Sequence, residues 1–153
     1  MFSLWRYAGR VAFWCSWPVL WVYLRGTART RVLLTHKGTV LVVKNWLGNG
    51  EWSLPGGGLH GGEPAEIGAR RELNEELHLQ TSKIMLQSIA VEPHMGKGFS
   101  YLCHYLTAEC PTLPAIKRQR SEILEYAWLH PSELTPKNAS SDVLRALDLC
   151  KSH

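Results

Sequence analysis

Three carboxylates, Glu72, Glu75 and Glu76, stand directly after Arg71. Wound as an α-helix at about 100° per residue, Glu75 lies roughly 60° to one side of Glu72 and Glu76 roughly 40° to the other, so all three leave one face. Like charges this close repel and raise one another's pKa, and Glu75 and Glu76 stand toward the negative end of the helix dipole. Arg71, four residues before Glu75, offsets part of that repulsion, and a divalent cation would offset far more. Oxygen donors select a hard cation such as Mg²⁺, Mn²⁺ or Ca²⁺ over a thiolate-bound metal. Taken alone, an E-x-x-E-E pattern is more often a solvated acidic face. The glycines ahead of it, at 56–58 and 61–62, shift the balance toward a site, because they let backbone approach a ligand closely.

From Gly57 to Leu79 the chain resembles the signature of the Nudix hydrolase family, G-x5-E-x7-R-E-U-x-E-E-x-G-U with U aliphatic. Gly57, Glu63, Arg71, Glu72, Leu73, Glu75, Glu76 and Leu79 meet it in register, and His78 stands where the family has glycine. Histidine is among the residues enriched at positive φ, so a left-handed helix cap remains accessible at 78. The resemblance implies that Glu72, Glu75 and Glu76 hold Mg²⁺, with Mn²⁺ as a substitute, and that the Gly56 carbonyl is a further ligand. It implies that Arg71 orients the acids together with Glu63, and that Gly57 keeps the loop free of side chains. The implied reaction is hydrolysis of the diphosphate linkage in a nucleoside diphosphate joined to another group. A bound cation acidifies water and neutralises phosphoryl charge in such chemistry. Two residues compete as general base, Glu72 ahead of Glu122.

Pro93 falls near a proline of related ADP-ribose hydrolases, making ADP-ribose or another nucleoside diphosphate sugar the leading substrate. A (deoxy)nucleoside triphosphate is the alternative, and a non-catalytic nucleotide-binding module a third reading. Trp46, Trp52 and Tyr101 offer base-stacking surface, although aromatics beside a sheet are more often core. Lys117, Arg118 and Arg120 form a basic loop whose ordinary reading is a solvated surface.

These residues need a scaffold. A hairpin over 31–35 and 39–44 turns at His36–Gly38. A loop follows, and Pro64 opens a helix over 65–77. Strands are expected at about 83–91, 99–108 and 124–129, with Glu92–Gly98 as a loop, an irregular connection over 109–121, and a last helix over 141–149. Strands interleaved with two helices indicate an α/β (α+β) domain. With the resemblance, the expected fold is a Nudix-like α/β/α sandwich around a mixed β-sheet.

With 153 residues, 45% apolar and 20% charged, the chain suits one globular domain and excludes a disordered or fibrous protein. The net charge of +4 sits at one end. The first 31 residues carry five arginines and no acid, and the remainder carries twelve basic and thirteen acidic residues. The body is therefore near neutral, which argues against a specific nucleic-acid partner, while a small nucleotide substrate is what the resemblance implies. Four cysteines without regular spacing read as free thiols in a reducing, cytoplasmic setting.

Residues 1–28 divide from a catalytic domain over 29–153. Within them, Val11–Leu24 is apolar, tryptophan-rich and broken by Pro18, too short to span a bilayer. Three readings stay open: peripheral membrane contact through residues 1–30, a signal peptide, or docking on the domain or on a second subunit of a homodimer.

Overall fold

The computed structural model describes residues 28–46, 48–95 and 100–152. The tryptophan-rich run, and with it nearly all of the segment considered for membrane contact, lies outside them. Among the described residues no helix is long and apolar enough to cross a membrane.

Strands β1 (Ala28–His36) and β2 (Thr39–Asn45) form the expected hairpin. Its turn is shorter than the sequence suggests. Thr35 pairs with Val40 and His36 with Thr39, leaving only Lys37 and Gly38, both at positive φ. That is the two-residue turn whose twist matches the flanking strands. Helix α1 (Ala65–Leu77) follows, then β3 (Gln87–Met95), β4 (Ser100–Glu109), β5 (Ile123–Leu129) and α2 (Ser141–Lys151). The sheet order is β3-β4-β1-β2-β5, with β1 and β4 parallel and every other pair antiparallel.

Alternation along β1 builds the layers. Val32 and Leu34 join Leu41 and Val43 against Ala69, Leu73 and Leu77 of α1. Leu33 joins Val40 and Val42 against Val143, Ala146 and Leu147 of α2. Both faces of the central strands are thereby buried, which is why 40–43 reads as an unbroken apolar run. The result is the α/β/α sandwich with a mixed sheet.

The third strand differs from expectation at both ends. Thr81–Lys83 form a 3-10 turn, because Arg70 of α1 takes the carbonyls of Thr81 and Ile84 and removes them from any strand ladder. At the other end Glu92–Met95 continue the strand instead of forming a loop. Side chains hold them there: Glu92 pairs with Arg145 of α2 at 2.6 Å, and His94 lies 3.1 Å from both the Tyr105 hydroxyl and the Ser141 hydroxyl. Pro93 is tolerated because β3 is an edge strand.

The 110–122 connection is irregular but anchored. Lys117 and Gln119 donate backbone N–H groups to the carbonyls of Leu77 and Glu76 at 3.0 and 2.8 Å, satisfying orphan carbonyls at the end of α1. His78 caps that end in the left-handed conformation, φ 53° and ψ 34°, as its type allows.

Candidate active site

The glycine-rich loop is built as an extra strand on β1. Val32 donates to the Pro55 carbonyl at 3.0 Å, Thr30 to Gly57 at 2.9 Å, and Leu59 to Ala28 at 2.9 Å. Two glycines are obligatory in this arrangement. Gly56 has φ +125°, and a Cβ there would stand 2.5 Å from the Thr30 carbonyl oxygen, backbone that cannot step aside. A Cβ on Gly57 would meet the Glu72 carboxyl at 2.6 Å, so the absent side chain is what makes room for that carboxylate.

Arg71 is the hub. Its guanidinium grips Glu63 through two bonds of 3.0 and 2.9 Å, and donates to Glu72 at 2.8 Å, to Glu75 at 3.1 Å and to the Gly58 carbonyl at 2.9 Å. Such a two-pronged grip fixes both partners in angle as well as distance. The Arg71 hydrogen bonds, with help from the His60 N–H, hold the Glu63 carboxyl down at about 2, and Arg71 is itself pushed up, chiefly by Glu63. Gly68 completes this corner. Any side chain there would run into Leu59 and the Glu63 carboxylate, so its size lets the loop lie flat on α1.

The three helix carboxylates share a face without closing into a ready-made cage. Among the described residues no three acidic, histidine or cysteine side chains are drawn together as a metal cluster. Arg71 donates to Glu72 and Glu75, while Glu76 accepts the Gly56 N–H at 3.0 Å. Their environments differ accordingly, since the Glu75 side chain is 53% exposed and the Glu72 side chain 13%. Glu76 is buried, and desolvation pushes its carboxyl up from 4.5 to about 7 against the pull of the Gly56 N–H and Arg31, with Glu72 and Glu122 raising it further.

Glu122 stands in the turn before β5, exposed, near enough for its charge to act on Glu76. Its carboxylate accepts from the Gln119 amide at 3.4 Å. The anchored connection thus delivers a carboxylate from outside α1 to the same edge of the molecule.

The donor set fits a hard divalent cation. Every candidate ligand is an oxygen, three carboxylates leave one helix face, and Glu76 is a buried carboxylate that a cation would keep ionised. Glu72, Glu75 and Glu76 would hold the ion. The Gly56 carbonyl is already occupied on one side, because the buried Arg31 guanidinium donates to it, leaving one lone pair for a cation.

Arg31 is the functional neighbour that sequence reasoning missed. It forms a 2.6 Å ion pair with Asp142, also buried, at the start of α2. The available signal was an arginine, Arg31, directly ahead of the apolar run 32–34 and in the alternating register of its strand. Of the aromatic candidates, Tyr101 is buried beneath Arg29, whose guanidinium carbon lies 5.3 Å from its ring centre, half-buried Trp52 carries Lys44 at 4.0 Å, and Trp46 donates its backbone N–H to the Glu122 carbonyl at 2.7 Å. Arg118 braces the carbonyls of Ile123 and Leu124.

Comparison with known proteins accords with this geometry. A family model described as NUDIX domain matches residues 24–149. A MutT-like protein of Streptomyces ambofaciens is 28% identical over 76% of this chain and 71% of its own length. The nucleoside triphosphatase NudI of Escherichia coli is 32% identical over 56% of this chain and 65% of its own length. Among solved structures, the NUDIX domain of Shewanella oneidensis NrtR complexed with ADP ribose superposes with a TM-score of 0.69 at 16% identity, covering 83% of this chain and 87% of that one.

Proposed function

Because the chain belongs to the Nudix hydrolase family, which acts on pyrophosphate bonds, we propose that it hydrolyses the diphosphate linkage of a nucleoside diphosphate joined to a second group, with Mg²⁺ as cofactor. The observation that carries this reading is the Arg71 hub, which binds Glu63, Glu72, Glu75 and the Gly58 carbonyl at once beside the buried Glu76.

Each residue has work to do on that reading. Glu72, Glu75 and Glu76 hold the cation, which supplies charge neutralisation for the phosphoryl oxygens and acidifies the attacking water. Arg71 keeps Glu72 and Glu75 aimed, and Glu63 keeps Arg71 from swinging away. The bare backbone of 56–58 admits the diphosphate. Glu122 is the favoured proton acceptor over Glu72, because its carboxylate is exposed and, among the described residues, accepts from the neutral Gln119 amide, whereas Glu72 is engaged by Arg71.

For the substrate, the likeness to NudI favours a nucleoside triphosphate. ADP-ribose, or another nucleoside diphosphate sugar, is the second reading. Its sequence pointer weakens because Pro93 is explained by its place in the edge strand β3. The test is release of phosphate, pyrophosphate or nucleoside monophosphate from a panel of nucleoside triphosphates and ADP-ribose with Mg²⁺. Activity on any of them that Glu75→Gln and Glu76→Gln leave unchanged sinks the site assignment. Nucleotide binding without turnover across the panel replaces it with a binding module.

A further inference from the structure

We propose that Arg31 and Asp142 are positioning residues for the cation-holding edge of the site, acting through Gly56. The inference rests on the reading of Glu76 and Gly56 as groups that face the metal.

Gly56 has both of its backbone polar groups engaged. Its N–H goes to Glu76 at 3.0 Å and its carbonyl accepts the Arg31 guanidinium. Arg31 in turn is paired with Asp142 at 2.6 Å, and Asp142 accepts further hydrogen bonds from the Val143 N–H at 3.0 Å and the Ser140 hydroxyl. A continuous line runs from the start of α2, through β1, to the carboxylate of Glu76 on α1. It joins the two helix layers from opposite faces of the sheet at Gly56, where a Cβ would meet the Thr30 backbone carbonyl.

A buried ion pair is weak evidence for a stabilising role. Removing an arginine and an aspartate from water is costly, and replacing a buried ion pair by apolar residues of similar volume is often neutral or stabilising. Arg31 lies on the face of β1 where Leu33 packs against the α2 layer, and Val143 follows Asp142 in that layer, so apolar side chains suit both positions. What an apolar pair cannot do is donate to the Gly56 carbonyl. Arg31 sets the direction of that carbonyl and holds Gly56 at its positive φ, which aims its N–H at Glu76 and leaves the second carbonyl lone pair toward the site. This is how outer partners tune a metal site, with typical losses of about 10–100-fold in metal affinity when they are removed.

The experiment uses the full chain and Mn²⁺ alone, titrated without nucleotide and read by the electron paramagnetic resonance of free Mn²⁺. Alongside it, thermal melting is followed by circular dichroism, and the Mg²⁺ concentration for half-maximal hydrolysis is measured. The variants are the apolar pair Arg31→Met with Asp142→Leu, the single Asp142→Asn, the conservative Arg31→Lys, and Arg145→Gln, which breaks an exposed ion pair on the same helix.

The apolar pair is expected to melt near the wild-type temperature, bind Mn²⁺ about 10–100-fold more weakly and need correspondingly more Mg²⁺. Arg31→Lys is expected to recover part of the affinity, since an ammonium can reach only part of the guanidinium's partners, and Arg145→Gln to match wild type. Equal or tighter Mn²⁺ binding by the apolar pair overturns the inference, the tighter case marking Arg31 as a competitor of the cation. If the apolar pair does not fold, Asp142→Asn decides in the same way. Wild-type protein that binds Mn²⁺ no better than Glu76→Gln removes the metal-site reading itself, and the inference with it.

Discussion

Helices α1 and α2 bury similar narrow apolar stripes against opposite faces of one sheet, yet they dispose of their charges in opposite ways. On α2, Asp142 is committed to Arg31 and Arg145 to Glu92, so these charges tie the helix to strands. On α1, Arg71 collects Glu63, Glu72 and Glu75 from the helix itself and the loop before it, and none of these bonds reaches the sheet. Glu76 is buried against a glycine N–H. A helix that spends charge on anchorage fixes its position on the strands, while one that concentrates like charge behind a single arginine holds it at a cost and needs a cation to recover that cost. The contrast separates scaffold from site more sharply than burial does.

The largest effect should come from neutralising α1. Glu76→Gln is expected to lower kcat by about 10²–10³-fold, the scale of losing one preorganised electrostatic group, with circular dichroism unchanged. Gly56→Ala should strike through the backbone, since its Cβ meets the Thr30 carbonyl and its φ is forbidding. Urea unfolding should show a loss of about 2 kcal/mol or more.

A third measurement asks whether the charge on α1 is held at a cost. In the native state the Glu76 carboxyl titrates near 7 rather than 4.5, so the folded protein binds the extra proton across that window. Metal-free stability should therefore fall as pH rises from about 4.5 to about 7 on account of this group. Melting temperatures across that range should decline less in Glu76→Gln, and added Mg²⁺ should reduce the decline in the wild type. An equal slope in wild type and variant would break the comparison.

Glu63→Gln, which loosens the grip on Arg71 without removing a cation ligand, should cost about tenfold in kcat. The smallest effect belongs to α2. Arg145→Gln should leave kcat unchanged and move the melting temperature by roughly a degree or less, because exposed ion pairs contribute little.

Much of the site is legible in the order of residues alone. The spacing of Arg71, Glu72, Glu75 and Glu76 places them on one face of any helix, Pro64 marks where that helix begins, and the 65–77 boundaries match the observed ones. His78 can be judged by residue type, because capping is a local property of one backbone conformation. The third strand is less legible. Its start depends on Arg70 reaching carbonyls eleven and fourteen residues away, and its end on contacts with α2, and local propensity contains neither.

By itself the sequence determined the oxygen-rich donor set, the helix that carries it, the family and the two-layered apolar pattern, since each follows from residue type and short-range spacing. Only the tertiary structure decided the direction of each carboxylate and the partners behind it. Arg71 and Gly56 divide the three glutamates between two opposing donors, and Arg31 meets Asp142 across more than a hundred residues of chain. Such choices depend on sheet order and on which buried groups can satisfy one another, a competition settled only when the distant strands and helices are packed together.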